Sequence, residues 1–186
     1  MLALTPFQTV GPFFAILVPE QGRLTLAGAD VPGERIVIEA TVHDGASQPV
    51  PDALIEIWQA NAAGCYNHPD DARCTGPDPA FGGFGRVRTD GAGGFSLKTI
   101  KPGPVPGPDG QPQAPHLLVG LFARGLLSRL VTRIYFSDEP ANGDDPILAA
   151  VAPDRRPTLV AARRDDGRYT HTITLQGPGE TVFFDV

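Results

Sequence analysis

Short runs of β-branched and aliphatic residues, each closed by a glycine, proline or aspartate turn, recur along this chain from Arg35 onward and leave little room for long helices. Arg35 to His43 (RIVIEATVH) stops at Asp44-Gly45, a hairpin or turn signal, and Leu54 to Gln59 (LIEIWQ) follows the turn residues Gln48 to Asp52. Arg86 to Thr89 and Gly94 to Leu97 flank Asp90-Gly91-Ala92-Gly93 as a hairpin. His116 to Ala123 and Leu130 to Phe136 flank Arg124 to Arg129, and Thr170 to Leu175 and Thr181 to Val186 flank Gly177-Pro178-Gly179. With 22 glycines, 20 prolines and a 41% apolar fraction, this pattern predicts an all-β fold: an antiparallel β-sandwich with long loops and one or two short helices. The helical patterns are Ile147 to Val151, after Asp144-Asp145-Pro146, and Thr158 to Arg164, after Pro157. Neither a repeat nor a linker divides the chain, so residues 1–186 read as a single domain.

Composition narrows the function. A net charge of -6 leaves no basic face for nucleic acid or an anionic membrane, so an anionic ligand must be met by local cations. Cys65 and Cys74 imply no disulfide framework, and the start MLALTPFQTVGPFFAILVPE lacks a positive n-region, which together predict a cytoplasmic protein. Prolines 6, 12 and 19 favour an extended N-terminal arm over a helix. Its Phe7, Phe13, Phe14 and Ile16 need a covering surface, either this domain or a partner chain. The segment from Ala60 to Gly85 is a long, weakly periodic loop of the kind that serves a site or an interface.

A second loop is stiffened by prolines. Thr99 to Arg124 (TIKPGPVPGPDGQPQAPHLLVGLFAR) holds an extended segment that feeds the strand starting at His116. On a strand only His-x-His places two imidazoles on one metal, because successive side chains point to opposite faces. Here the sequence is His116-Leu117-Leu118, with a hydrocarbon at the second position. His43, His68 and His171 share no ligand spacing.

The segments Thr5-Pro6-Phe7-Gln8-Thr9-Val10-Gly11-Pro12-Phe13, Glu56-Ile57-Trp58-Gln59-Ala60-Asn61, Phe81 to Arg86 (FGGFGR), Thr99-Ile100-Lys101-Pro102-Gly103 and Gly179 to Asp185 (GETVFFD) occur in an order that resembles the ferric intradiol ring-cleavage dioxygenases across nearly the whole chain. The resemblance implies two histidines on the strand and two tyrosines on the loops as iron ligands. It places Arg73 and Val105 at the tyrosine positions and His116 and Leu118 at the histidine positions. Arginine is a permanent donor and cannot bind a metal, so these are vestigial metal-ligand positions and no iron is expected in this chain. Leu121 to Gly125 (LFARG) and the missing ligands further resemble the alpha type of subunit, which pairs with an iron-bearing beta subunit of the same family.

That resemblance carries four residues to a substrate-binding role at the interface with the partner: Arg124, facing a substrate carboxylate, and Thr9, Gly11 and Pro12 in the arm. No catalytic residue is assigned to this chain. The reaction implied inserts both atoms of O2 between the hydroxylated carbons of protocatechuate, giving 3-carboxy-cis,cis-muconate, with Fe(III) held by the beta subunit. Arg133 reads as a structural arginine. Two other readings compete: a non-catalytic β-sandwich module that binds a small aromatic acid, and a self-sufficient intradiol enzyme with relocated ligands.

Overall fold

The computed structural model describes residues 5–11, 13–18, 22–73, 78–107 and 109–185. In chain order the elements are α1 (Phe13–Leu17), β1 (Arg23–Thr25), β2 (Arg35–His43), β3 (Leu54–Trp58), β4 (Phe84–Arg88), β5 (Gly94–Ile100), β6 (Val105–Pro106), β7 (Pro112–Gln113), β8 (His116–Phe122) and β9 (Leu130–Phe136). A 3-10 turn at Pro140–Asp144, α2 (Pro146–Ala150), a second 3-10 turn at Arg156–Leu159, β10 (Val160–Arg163) and β11 (Tyr169–Thr174) follow.

Nine strands form one sheet in the order β1-β5-β2-β11-β10-β9-β8-β3-β4. Its two halves face each other. Ile36, Ile38, Ala40 and Val42 of β2, with Phe95 and Leu97 of β5, share one core with Ile55 and Ile57 of β3 and Leu117, Val119 and Leu121 of β8. The period-two alternation of β2 sends one face inward and leaves the other partly exposed, whereas β8 is apolar along its length and buried on both faces. The strands at the two ends of the order, β1 and β4, also approach each other, because Gly85 of β4 leaves room for Leu24 and Leu26.

The sheet is mixed, which corrects the antiparallel expectation. β2 runs antiparallel to β5 but parallel to β11, and β1/β5 and β9/β10 are parallel pairs. Alternation fixes which face of a strand is buried and carries no information about the direction of its neighbour. The helix expected over Thr158 to Arg164 is instead the 3-10 turn and β10, which pairs with β9 on one side and β11 on the other. Two ladders of hydrogen bonds outweigh an isolated helical turn whose nucleation is unfavourable. The strand expected over Thr181 to Val186 is not formed at 181–185, and Val186 lies outside the described residues. Single bonds dock this segment: Thr181 donates its N–H to the Thr174 carbonyl (2.9 Å), and Phe184 donates to Val131 (2.8 Å). The arm is not wholly extended either, since Phe13–Leu17 is helical. A five-residue turn fits between the prolines at 12 and 19, because proline is tolerated where a helix begins. The other helix matches its expectation, with Pro146 at its start and Asp145 as its N-cap.

The two long loops are locked backbone to backbone. Gly103 donates its N–H to the Asn61 carbonyl (2.9 Å), while the Asn61 side chain accepts from Ala63 and Cys65. Gly64, at φ 78°, lies so close to the Pro104 carbonyl that a Cβ would collide with it. This contact sets the loop over the outer face of β8.

Candidate functional site

His116, Leu118, Gly120 and Phe122 are the outward residues of β8, since Leu117, Val119 and Leu121 fill the core. In register, Leu118 lies between Trp58 of β3 and Arg133 of β9, so an indole, an isobutyl group and a guanidinium make one row across three strands. The loop after β3 folds over this row. Tyr66, His68, Asp71 and Arg73 join Trp58 and Leu118 around a cavity of about 510 Å³. Trp58 is its main wall, with ring centroids 5.9 Å from Tyr66, 6.0 Å from His68 and 5.9 Å from Phe84.

Two of the four positions expected to be vestigial iron ligands, Arg73 and Leu118, line this cavity. Leu118 offers only carbon, and Arg73 is forked onto Asp71, with Nε to Oδ1 at 2.7 Å and Nη2 to Oδ2 at 2.5 Å. That fork, with the Tyr66 N–H donating to the same carboxylate (2.9 Å), holds the Asp71 carboxyl well below the usual range. Val105 is buried in the two-residue ladder of β6 with β7. His116 stands two positions before Leu118 on the same face, 5% exposed, and its Nδ1–H donates to the Ala114 carbonyl at 2.7 Å. Burial and then the Arg133 charge lower its pKa to about 4, so the imidazole is neutral at pH 7. One neutral imidazole beside an arginine and a leucine does not fit a ferric ion, which needs several anionic or imidazole donors. Among the described residues no three His, Cys, Asp or Glu side chains come together as a metal-binding group.

From Arg133, the β9 neighbour of Leu118, runs a polar chain that the sequence reading missed. Arg133 Nη1 donates to Gln113 Oε1 (2.6 Å) and to the Tyr135 hydroxyl (3.2 Å), which donates to Asp145 Oδ1 (3.2 Å). Asp145 is fully buried and also accepts the N–H groups of Ala114 (2.7 Å), Ile147 (2.9 Å) and Leu148 (2.8 Å). Asp145 was visible in the sequence as a helix cap, whereas its grip on Tyr135 and Ala114 had no local signal. The structural reading of Arg133 fits this network.

Two of the proposed substrate-facing residues, Thr9 and Arg124, lie at the opposite end of β8, roughly 20 Å of extended chain beyond Leu118. Thr9 Oγ1 accepts the Gly125 N–H at 2.7 Å, so the arm and the turn after β8 meet although 116 positions separate them. Arg124, with 60% of its side chain exposed, pairs with Asp52 (Nη2 to Oδ2, 3.1 Å). Asp52 sits at φ 67° and also lies 3.8 Å from Arg88 Nε, an interaction absent from the sequence reading. Gly11 is exposed with open space around it, and Pro12 lies outside the described residues. Gln8 and Val10 border a groove of about 210 Å³ with Phe122, Leu126 and Leu127. Phe7, Leu127, Phe13 and Ile16 are 79%, 60%, 72% and 75% exposed, leaving this end of the molecule rich in uncovered hydrocarbon.

Comparison with known proteins places this arrangement. A family model described as Dioxygenase matches residues 10–177. The chain is 41% identical to the protocatechuate 3,4-dioxygenase alpha chain of Pseudomonas putida, over 100% of this chain and 98% of that one. It is 38% identical to the protocatechuate 3,4-dioxygenase beta chain of Burkholderia cepacia, over 83% of this chain and 64% of that one. Among solved structures, the dioxygenase domain of a dioxygenase carbohydrate-binding protein fusion from Streptomyces sp. SirexAA-E superposes with a TM-score of 0.64 at 28% identity, covering 93% of this chain and 98% of that domain. With the strand framework kept and the family motifs in order from arm to C-terminus, this chain belongs to the intradiol ring-cleavage dioxygenases.

Proposed function

We propose that this chain is the iron-free alpha subunit of a protocatechuate 3,4-dioxygenase and completes the active site of an iron-bearing beta subunit. The observation that carries the reading is the donor set of its own cavity: Arg73 is spent on Asp71 and Leu118 replaces an imidazole, in a chain otherwise matched end to end with alpha chains. Fe(III) in the partner supplies the oxygen chemistry, the intradiol cleavage of 3,4-dihydroxybenzoate.

In this reading the partner packs against the uncovered arm and the turn after β8. Thr9 holds that turn in place through Gly125, and Gly11 and Pro12 contribute backbone close to the substrate. Arg124 offers its guanidinium to the substrate carboxylate. As an exposed pair with Asp52 it contributes little. Once a partner excludes water, a charge-assisted hydrogen bond from the same group is worth about 1.5 to 3 kcal/mol.

The test is coexpression with a beta chain, followed by Arg124→Ala. The predicted loss in kcat/KM is about tenfold to a hundredfold for protocatechuate, with unsubstituted catechol nearly unaffected. An equal loss on both substrates would remove Arg124 from the carboxylate role. A chain that is red-brown and opens catechol rings with no partner present would overturn the subunit reading.

A further inference from the structure

The residue that meets Arg124 is set by the register of the sheet. In the β3/β8 ladder Leu54 faces Phe122, so two residues further on, before β3 and after β8, Asp52 comes to lie beside Arg124. Asp52 Oδ2 accepts from Arg124 Nη2 at 3.1 Å, and its Oδ1 lies 3.8 Å from Nε of the buried Arg88. The turn that carries Asp52 is pinned by Thr89, itself buried at the end of the neighbouring strand. The Thr89 hydroxyl donates to the Val50 carbonyl (2.8 Å) and accepts the Ala53 N–H (2.9 Å), while the Thr89 N–H donates to the Ala53 carbonyl (2.9 Å). The carboxylate therefore stands on a rigid base, whereas the Arg124 side chain is long and mostly exposed. One carboxylate between two guanidiniums leaves the trio a net positive charge, so Asp52 can orient Arg124 without cancelling its attraction for an anion. Arg88 also donates Nη1 to the Val18 carbonyl (3.2 Å) just after α1, which ties the trio to the arm.

We propose that Asp52 is a positioning residue for recognition of the substrate carboxylate: it holds Arg124 by Nη2 in one rotamer and leaves Nε and Nη1 to meet the ligand. The proposal rests on the carboxylate role of Arg124 and adds what prepares that arginine for it. A rotamer-rich side chain that is immobilised only on binding costs affinity, and one already held on a fixed carboxylate has lost that freedom before the substrate arrives. The exposed pair contributes little to folding, so its effect falls on binding.

The test is steady-state kinetics of the complex coexpressed with a beta chain, on protocatechuate and on unsubstituted catechol, for Asp52→Gly, Asp52→Asn, Arg124→Ala and the double variant Asp52→Gly with Arg124→Ala. Asp52 sits at φ 67°, which glycine adopts without strain, so Asp52→Gly deletes the carboxylate and keeps the turn. It should raise KM for protocatechuate by about three- to tenfold, with kcat within about twofold and catechol unchanged. Asp52→Asn, whose amide oxygen still accepts from Nη2, should lose about two- to threefold, again on protocatechuate alone, and it carries the test if the glycine variant does not assemble. In the Arg124→Ala background Asp52→Gly should cost nothing further. Equal losses on both substrates, or the same loss with and without Arg124, would make Asp52 merely structural and overturn the proposal. A fall in KM for protocatechuate would overturn it as well, by making Asp52 a competitor for the guanidinium. A selective loss in Arg124→Ala beside silent Asp52 variants sinks the positioning role alone, whereas an unselective Arg124→Ala sinks the carboxylate role of Arg124 and this proposal with it.

Discussion

Replacing Asp145 with alanine should be among the most damaging single changes to this protein, and the structure allows its size to be worked out. The carboxylate accepts four hydrogen bonds: two from the first N–H groups of α2, one from the Ala114 N–H and one from the Tyr135 hydroxyl. Loss of the cap costs about 1 kcal/mol. Ala114 is 2% exposed, so its N–H becomes a buried orphan at a further 1 to 3 kcal/mol or so. Tyr135 can turn towards other acceptors at a smaller cost of about 1 kcal/mol. The sum is about 3 to 5 kcal/mol, or a fall in Tm of roughly 10 °C for a domain of this size. Asp145→Asn keeps an oxygen for the cap but turns an amide N–H against a donor, so it should fall between wild type and alanine. Urea unfolding followed by circular dichroism measures both variants. A loss below about 1 kcal/mol for alanine, with the native spectrum kept, would refute the claim that this carboxylate ties α2 to Ala114 and Tyr135.

Two further outcomes follow from other contacts. His116 and His171 are both held neutral by burial, with pKa values of about 4 against 6.5 when unfolded, so the unfolded chain binds more protons between these values. Stability should therefore fall as pH drops from 6.5 to 4, by up to about 1.4 kcal/mol per pH unit for each histidine, and His171→Gln should flatten the slope measured by urea titrations at stepped pH. Thr9→Val removes the acceptor for Gly125; the arm should then be cleaved several-fold faster by a protease in limited digestion, while global unfolding shifts by less than about 0.5 kcal/mol.

Much of the frame was legible from residue order because strand formation is a local matter. RIVIEATVH alternates and HLLVGLF is a short, nearly continuous apolar run, and both are strands whose hydrocarbon meets in the core. The α2 helix was equally plain, since Asp145-Pro146 is a cap followed by a residue pre-set for a first turn. Less legible were elements whose state depends on what lies beside them. Val160–Arg163 has the composition of a short helix and becomes a strand because β9 and β11 leave a gap that its backbone fills. Thr181 to Asp185 has the composition of a strand and finds only scattered partners. At the site, nothing near Arg133 in the sequence announced Gln113 or Asp145, because those contacts cross from loop to strand to helix.

By itself, then, the order of amino acids settled where the chain turns and which residues of β2 go inward, properties carried by single side chains or a period of two. Folding in three dimensions decided the parallel pairings, drew Trp58, Leu118 and Arg133 into one row, and brought Thr9 to Gly125 across 116 positions. Those outcomes belong to no local stretch, because a backbone donor or a guanidinium takes whichever acceptor the packed core leaves within reach.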